Sequence, residues 1–130
     1  NAKFLLLYRH PLEAYRSYCS FGRNWYDLFP ERPMFTPRGF GAHWQRLMQG
    51  YLDDAQALGA MLVKYEELVA GKVALDAIDH YLGIATDHSV MTRKIRGTSG
   101  AGEKGHVNAL ERWLLRRAAG PTAERLGYAW

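Results

Sequence analysis

The chain has 130 residues, of which 48% are hydrophobic and 23% charged, and its formal net charge is +4. This composition is that of one globular domain or less, and it excludes disordered and collagen-like chains. No apolar run approaches the ~20 residues needed to span a bilayer, so we expect no membrane span. The single cysteine, Cys19, excludes an internal disulfide framework. It is compatible with a reducing compartment, and we expect a cytoplasmic protein.

The charges are unevenly distributed along the chain. Residues 1–46 contain seven Lys or Arg and three Asp or Glu, residues 47–92 contain two and seven, and residues 93–130 contain eight and three. Folding could bring the two basic ends together over one polyanionic ligand. Nucleic acid would produce a similar imbalance, but the chain has no zinc-finger spacing, RNA-recognition signature or long Lys/Arg run. We therefore expect no nucleic acid partner.

The most informative segment is the first one, an apolar run followed by Arg-His-Pro. Residues 3–8 have the length of a buried parallel strand. Pro11 is typical of the first position of a helix, which we predict over residues 11–20. Open α/β sheets bind ligands at the carboxyl ends of their strands, where free N–H groups of a helix attract anions. Arg9 adds a guanidinium at that point.

Ser17 lies two turns into this helix, roughly 9 Å along its axis. A phosphate at the helix start could therefore meet both Ser17 and Arg9. The alternatives are a surface ion pair between Arg9 and Glu13, four residues apart, and a bond from the Ser17 hydroxyl to a carbonyl of its own helix.

The remaining elements follow in chain order. We predict that residues 21–38 form a loop rich in aromatics and proline. A loop of this length is usually functional or mobile, and the alternative is a surface loop that its aromatics hold in place. We then predict a helix over 39–58, a strand over 60–65, a short helix over 66–69 and a helix over 73–82 that Gly83 ends in the left-handed conformation.

The carboxyl-terminal part is predicted to be helical after a loop. Residues 93–106 are basic and glycine-rich, without an apolar period. Asn108 caps a helix that extends to residue 119, and we expect Leu110, Trp113 and Leu114 to face inward. Gly-Pro at residues 120–121 should turn the chain into a last short helix.

Several segments together resemble one enzyme family. Arg9, Pro11 and Ser17 resemble the 3′-phosphate-binding strand and helix of sulfotransferases that use 3′-phosphoadenosine 5′-phosphosulfate (PAPS). Three later segments, in the same order, are similar to further parts of these enzymes. The first, over residues 60–84, is a strand followed by Tyr-Glu-Glu-Leu, a helix and Tyr-Leu-Gly. The second is the basic, glycine-rich stretch of residues 93–104, and the third is the Leu-Gly-Tyr ending at residues 126–128.

The resemblance implies a fold of class α/β, namely a partial three-layer P-loop-NTPase-like sulfotransferase fold with parallel strands flanked by helices. The family's phosphosulfate loop and catalytic base lie upstream of the Arg-x-Pro strand. Residues 1–130 therefore resemble the carboxyl-terminal part of a single sulfotransferase domain. The amino-terminal half is an expected partner, and the catalytic residues are unknown.

The resemblance also implies the ligand and its contacts. PAPS is the expected cosubstrate, and the acceptor is a hydroxyl or amine on a carbohydrate, lipid or small molecule. Arg9, Ser17, Arg96 and Gly97 would hold the 3′-phosphate of the nucleotide. Tyr65, which ends the second predicted strand level with Arg9, would lie near the adenine.

Other interpretations of the same residues stay open. Arg96 and Gly97 could belong to a solvated basic loop, and Lys94 and Lys104 are additional phosphate candidates. Tyr65 could be a core tyrosine. The five histidines have no metal-ligand spacing with Cys or carboxylates, so we expect no metal. The alternative function is a non-catalytic α/β module that binds another polyanion or a partner chain through its basic face.

Overall fold

The computed structural model describes residues 2–20, 36–89 and 105–130, which form a mixed α/β chain that is mostly helical. The described elements, in chain order, are β1 (Leu5–Tyr8), α1 (Pro11–Ser20), α2 (Pro37–Leu58), β2 (Met61–Lys64), α3 (Tyr65–Val69), α4 (Leu75–Leu82) and α5 (Ala109–Arg125). None of these helices combines the length and apolarity that crossing a membrane requires.

The two strands form a parallel sheet, as predicted. Leu5 pairs with Met61 and Tyr8 pairs with Lys64. The second strand is one residue shorter at its end than predicted, because Tyr65 begins α3. Leu5 and Leu7 remain 36% and 43% exposed, so the apolar side chains of β1 are only partly covered within the described residues.

The chain divides into two compact units. The first comprises Asn1–Arg9 and Tyr51–Ser99, and the second comprises His10–Gly50 and Gly100–Trp130.

The first unit packs around Val63 of β2 and Ile78 of α4, each 2% exposed. The hydroxyl of Tyr81 accepts a hydrogen bond from the Phe4 N–H at 3.1 Å and lies 2.8 Å from the Gly59 carbonyl oxygen. This phenol therefore joins the residues before β1 to the turn before β2. Gly83 ends α4 with a φ of 72°, which confirms the predicted stop.

The second unit has an aromatic core between α1 and the start of α2. Tyr15 and Tyr18 of α1 both pack on Phe40 of α2, with ring centroids 5.2 and 5.3 Å apart. Trp44 and Met48 continue the buried face of α2 at four-residue steps, as an amphipathic helix requires.

Helix α5 differs from the prediction in length. The Gly-Pro pair does not turn the chain, and the helix continues through Pro121 to Arg125. A proline inside a helix costs ~3 kcal/mol through its missing N–H and its clash with the preceding turn. Burial of Ala119, Thr122 and Ala123 on either side of Pro121 offsets that cost. At the other end Asn108 forms a capping box with Glu111, which confirms the predicted start.

The inward face of α5 was also predicted wrongly. Leu110 and Trp113 are 64% and 52% exposed and Leu114 is half-buried, whereas Leu115, Ala119 and Ala123 are fully buried. Residues four apart on a helix share a face, so these three define the core stripe. Two of them are alanines, whose small side chains allow close helix packing but do not stand out in an apolar pattern.

Candidate functional site

The carboxyl ends of the two strands bring two of the predicted nucleotide-binding residues into contact. Because Tyr8 pairs with Lys64, the next residues along each strand, Arg9 and Tyr65, lie at the same level. The Arg9 guanidinium carbon lies 5.0 Å from the centroid of the Tyr65 ring. Such a cation–π contact contributes roughly 0.5–1 kcal/mol at exposed sites and more where water is excluded.

The Arg9 guanidinium is suited to an anionic ligand. Arg9 is half-buried, and its guanidinium carbon lies over the Tyr65 ring. A cation–π contact holds the charged group near the ring without using its N–H donors as hydrogen bonds. Two parallel N–H bonds to one phosphate or carboxylate are the strongest hydrogen bonds that this group makes.

Carboxylates lie close to this contact. Glu66 and Glu67 occupy the first turn of α3, where the helix dipole favours negative charge. Burial, reinforced by Glu67 and Glu66, raises the pKa of the Tyr8 phenol above its usual 10.0. Tyr8 therefore stays neutral at physiological pH. The negative charges of Glu66 and Glu67 repel anions in general. Binding of a particular anion here therefore depends on directional hydrogen bonds from Arg9.

Ser17 belongs to the second unit, whereas Arg9 and Tyr65 belong to the first. It is half-buried in α1, and its carbonyl oxygen accepts the Ser20 hydroxyl at 2.8 Å. Within the described ranges, the Ser17 hydroxyl itself makes no hydrogen bond. The bond to a helix carbonyl, which was one alternative for this residue, is therefore not made there.

The start of α1 is less open to an anion than the sequence suggests. His10 Nδ1 accepts the Leu12 N–H at 3.1 Å, and His10 Nε2 donates to the Ala129 carbonyl at 3.1 Å. The imidazole also packs edge-on against Tyr128 and Trp130, with centroids 5.0 and 5.2 Å away. One of the N–H groups expected to attract an anion is thus already bonded to the His10 side chain, a role that sequence reasoning missed.

The other predicted phosphate contacts lie outside the described residues. Arg96, Gly97, Lys94 and Lys104 all fall within residues 90–104, so their assignment stays a prediction. Most of the predicted aromatic loop, residues 21–35, also lies outside.

A second polar cluster was missed by sequence reasoning. His88 Nε2 lies 2.8 Å from Asp79 Oδ2, and its Nδ1 lies 3.9 Å from Asp76 Oδ1. Thr86 donates both its N–H and its hydroxyl to Asp79. The one available signal was the three-residue spacing of the two aspartates, which places them on one face of α4.

This cluster acts as a tether. The side chains of Asp76, Asp79 and His88 could reach a common cation, since their ligand atoms lie within 4.8 Å of one another. Asp79 already accepts bonds from Thr86 and His88, however, so the cluster is satisfied without an ion. It fastens the residues after α4 to the helix itself.

Asp79→Asn is expected to weaken stability in a pH-dependent way. Hydrogen bonds from Thr86, with a smaller effect of His88, lower the pKa of Asp79 below its usual 3.8. Its contribution is therefore present above the unfolded-state pKa and is lost as the pH falls through the folded-state pKa. The difference in Tm between wild type and Asp79→Asn should be full at about pH 5 and above, and should shrink as the pH falls below about 4.

Thermal melts at pH 5, 4 and 3 check this expectation. Asp54→Asn, which removes an exposed carboxylate from α2, is the matched control and should follow the wild type. A wild-type-to-Asp79→Asn difference that does not change with pH would contradict the tether.

No protein-family model, curated protein or solved structure matches this chain.

Proposed function

We propose that this chain supplies the 3′-phosphate-binding part of a PAPS-dependent sulfotransferase. The observation that supports this function is the cation–π contact between Arg9 and Tyr65 at the carboxyl ends of two adjacent parallel strands. Ligands of open α/β sheets bind at that edge. The finer fold that goes with this proposal is a partial three-layer P-loop-NTPase-like arrangement.

Each residue has a definite role in the proposed site. Arg9 donates two N–H bonds to the 3′-phosphate, and Tyr65 contacts the guanidinium through its ring and lies near the adenine. Ser17 adds a hydroxyl, and Arg96 and Gly97 add a guanidinium and a backbone N–H. Fixing the nucleotide in this way aligns the sulfuryl group with an acceptor hydroxyl or amine, and positioning of this kind lowers the barrier to transfer.

The exposed apolar side chains of β1 support the proposal that a further segment of protein packs against this strand. Leu5 and Leu7 are 36% and 43% exposed, although the apolar sequence of β1 is typical of a buried strand. Strands of parallel sheets are normally covered on both faces. In the proposed enzyme the amino-terminal half covers these side chains and contributes the phosphosulfate loop and the catalytic base.

Calorimetry on the full-length protein tests the proposal. We expect 3′,5′-adenosine bisphosphate to bind at least tenfold more tightly than 5′-AMP, since a charged hydrogen-bonded pair contributes ~1.5–3 kcal/mol. Equal affinity for the two nucleotides would remove the sulfotransferase assignment. Binding of inorganic pyrophosphate as tight as that of the bisphosphate would favour the alternative, a non-catalytic module for polyanions.

Tyr65 is expected to act through its ring. Tyr65→Phe keeps the face on which Arg9 stacks, so affinity for 3′,5′-adenosine bisphosphate should stay within about twofold of the wild type. Tyr65→Ala removes that face and should weaken binding by about fivefold. Calorimetry on both variants separates the roles of ring and hydroxyl, and an equal loss of affinity in Tyr65→Phe and Tyr65→Ala would show that the hydroxyl is the binding group.

A further inference from the structure

Helix α5 carries an exposed aromatic ring beside several arginines. Trp113 is 52% exposed, although large aromatic side chains usually lie at least partly in a core. The guanidinium carbon of Arg117 lies 5.4 Å from the Trp113 ring centroid. Arg116 follows on α5, and Arg38 lies in the first turn of α2. These four residues form what we call the arginine–tryptophan surface.

Two clefts meet at this surface. One has a volume of about 530 Å³ and lies between Arg38 and Gln45 of α2 and Trp113 of α5. The other, of about 310 Å³, extends from Trp113 towards Pro121. Trp113 and Arg117 line both clefts, so an elongated ligand that contacts these two residues can reach into both.

The arginines of this surface are not neutralised by neighbours. Within residues 2–20, 36–89 and 105–130, no carboxylate forms an ion pair with Arg38, Arg116 or Arg117. Arg16, by contrast, pairs with Glu13 at 2.7 Å. One carboxylate, Glu124, lines the smaller cleft. The surface therefore has an excess of guanidinium groups whose donors suit sulfate or carboxylate oxygens.

We propose that the arginine–tryptophan surface binds an anionic carbohydrate chain. A sugar ring lies on the face of Trp113, while sulfate or carboxylate groups in the two clefts accept hydrogen bonds from the arginines. The surface has one exposed aromatic ring and three guanidinium groups. It therefore suits a ligand that has many anionic groups and few rings that stack on aromatic side chains. Single-stranded nucleic acid is instead held by successive aromatic side chains, one for each stacked base. The concave clefts also differ from the continuous apolar face with which helices lie on membranes.

This surface shares no residue with the proposed nucleotide site, so the inference does not depend on the sulfotransferase assignment. Heparin, a linear sulfated polysaccharide, is the probe. Its affinity for the full-length protein is measured by calorimetry at two salt concentrations. Matched measurements use neutral dextran, a single-stranded oligodeoxynucleotide and vesicles that contain anionic lipid.

We expect heparin to bind and dextran not to bind. Trp113→Ala should weaken heparin binding about fivefold with little change in salt dependence, because the stacking surface carries no charge. Arg117→Ala should weaken binding about tenfold and reduce the salt slope by about one, because it removes one ion contact. Arg112→Ala is the matched control. It removes the same charge from the same helix but lines neither cleft, so its effect should be within about twofold.

Three results would overturn the proposal. The first is an equal loss of heparin affinity in Arg112→Ala and Arg117→Ala, which would indicate diffuse charge attraction. The second is tighter binding to the oligodeoxynucleotide or to the vesicles than to heparin. The third is unchanged affinity in Trp113→Ala. All three substituted side chains are exposed, so thermal melts should confirm that the variants fold.

Discussion

Arg9→Ala is expected to lower the affinity for 3′,5′-adenosine bisphosphate by about 10- to 100-fold, while the affinity for 5′-AMP changes by less than about threefold. Hydrogen bonds to charged groups contribute ~1.5–3 kcal/mol, and the guanidinium of Arg9 already lies over the Tyr65 ring. The loss should therefore fall on the nucleotide that carries the extra phosphate. Calorimetry on the full-length protein measures both affinities directly.

Two further variants sharpen this prediction. Arg9→Lys keeps the positive charge but loses the planar fork, so it should recover only part of the preference for the 3′-phosphate. Arg46→Ala removes a charge of the same kind from an exposed position on α2 and should leave both affinities within about twofold. If Arg9→Ala weakened both nucleotides equally, Arg9 would not be the 3′-phosphate ligand.

Gly41→Ala is expected to destabilise the protein by about 1–3 kcal/mol, although alanine is the better helix former. A Cβ atom at Gly41 would lie 2.8 Å from the Ala118 Cβ and 3.2 Å from the Leu115 carbonyl oxygen. Neither neighbour is the end of a flexible side chain, so α2 and α5 would have to move apart. The free energy of unfolding from urea denaturation measures this effect.

Gly50 provides a control in the same helix. No atom lies within 4 Å of a Cβ built there, so Gly50→Ala should stabilise the protein by about 0.5–1 kcal/mol through helix propensity alone. Adding Ala118→Gly to Gly41→Ala removes the closest contact and should restore part of the lost stability. Similar gains from Gly41→Ala and Gly50→Ala would show that the two helices do not approach so closely.

Local signals in the sequence were sufficient to predict where several helices begin or end. Helix α1 has its predicted bounds, Pro11 to Ser20, because proline fixes the first helical position without losing a hydrogen bond. Asn108 with Glu111 predicts the start of α5, and Gly83 predicts the end of α4, because caps depend on neighbouring residues alone. The placement of Arg9 level with Tyr65 also followed from two apolar runs of similar length.

The features that the sequence did not predict depend on contacts between residues that are distant along the chain. His10 caps α1 and bonds to a carbonyl 119 residues later, and Asp79 is held by residues beyond its own helix. Pro121 remains helical because its neighbours are buried, and Trp113 is exposed because small alanines take the core face of α5. By itself the sequence determined the helix ends, the two strands and the position of Arg9, since these follow from short-range geometry. The tertiary structure decided which faces are buried and which polar groups meet, since both depend on how helices pack.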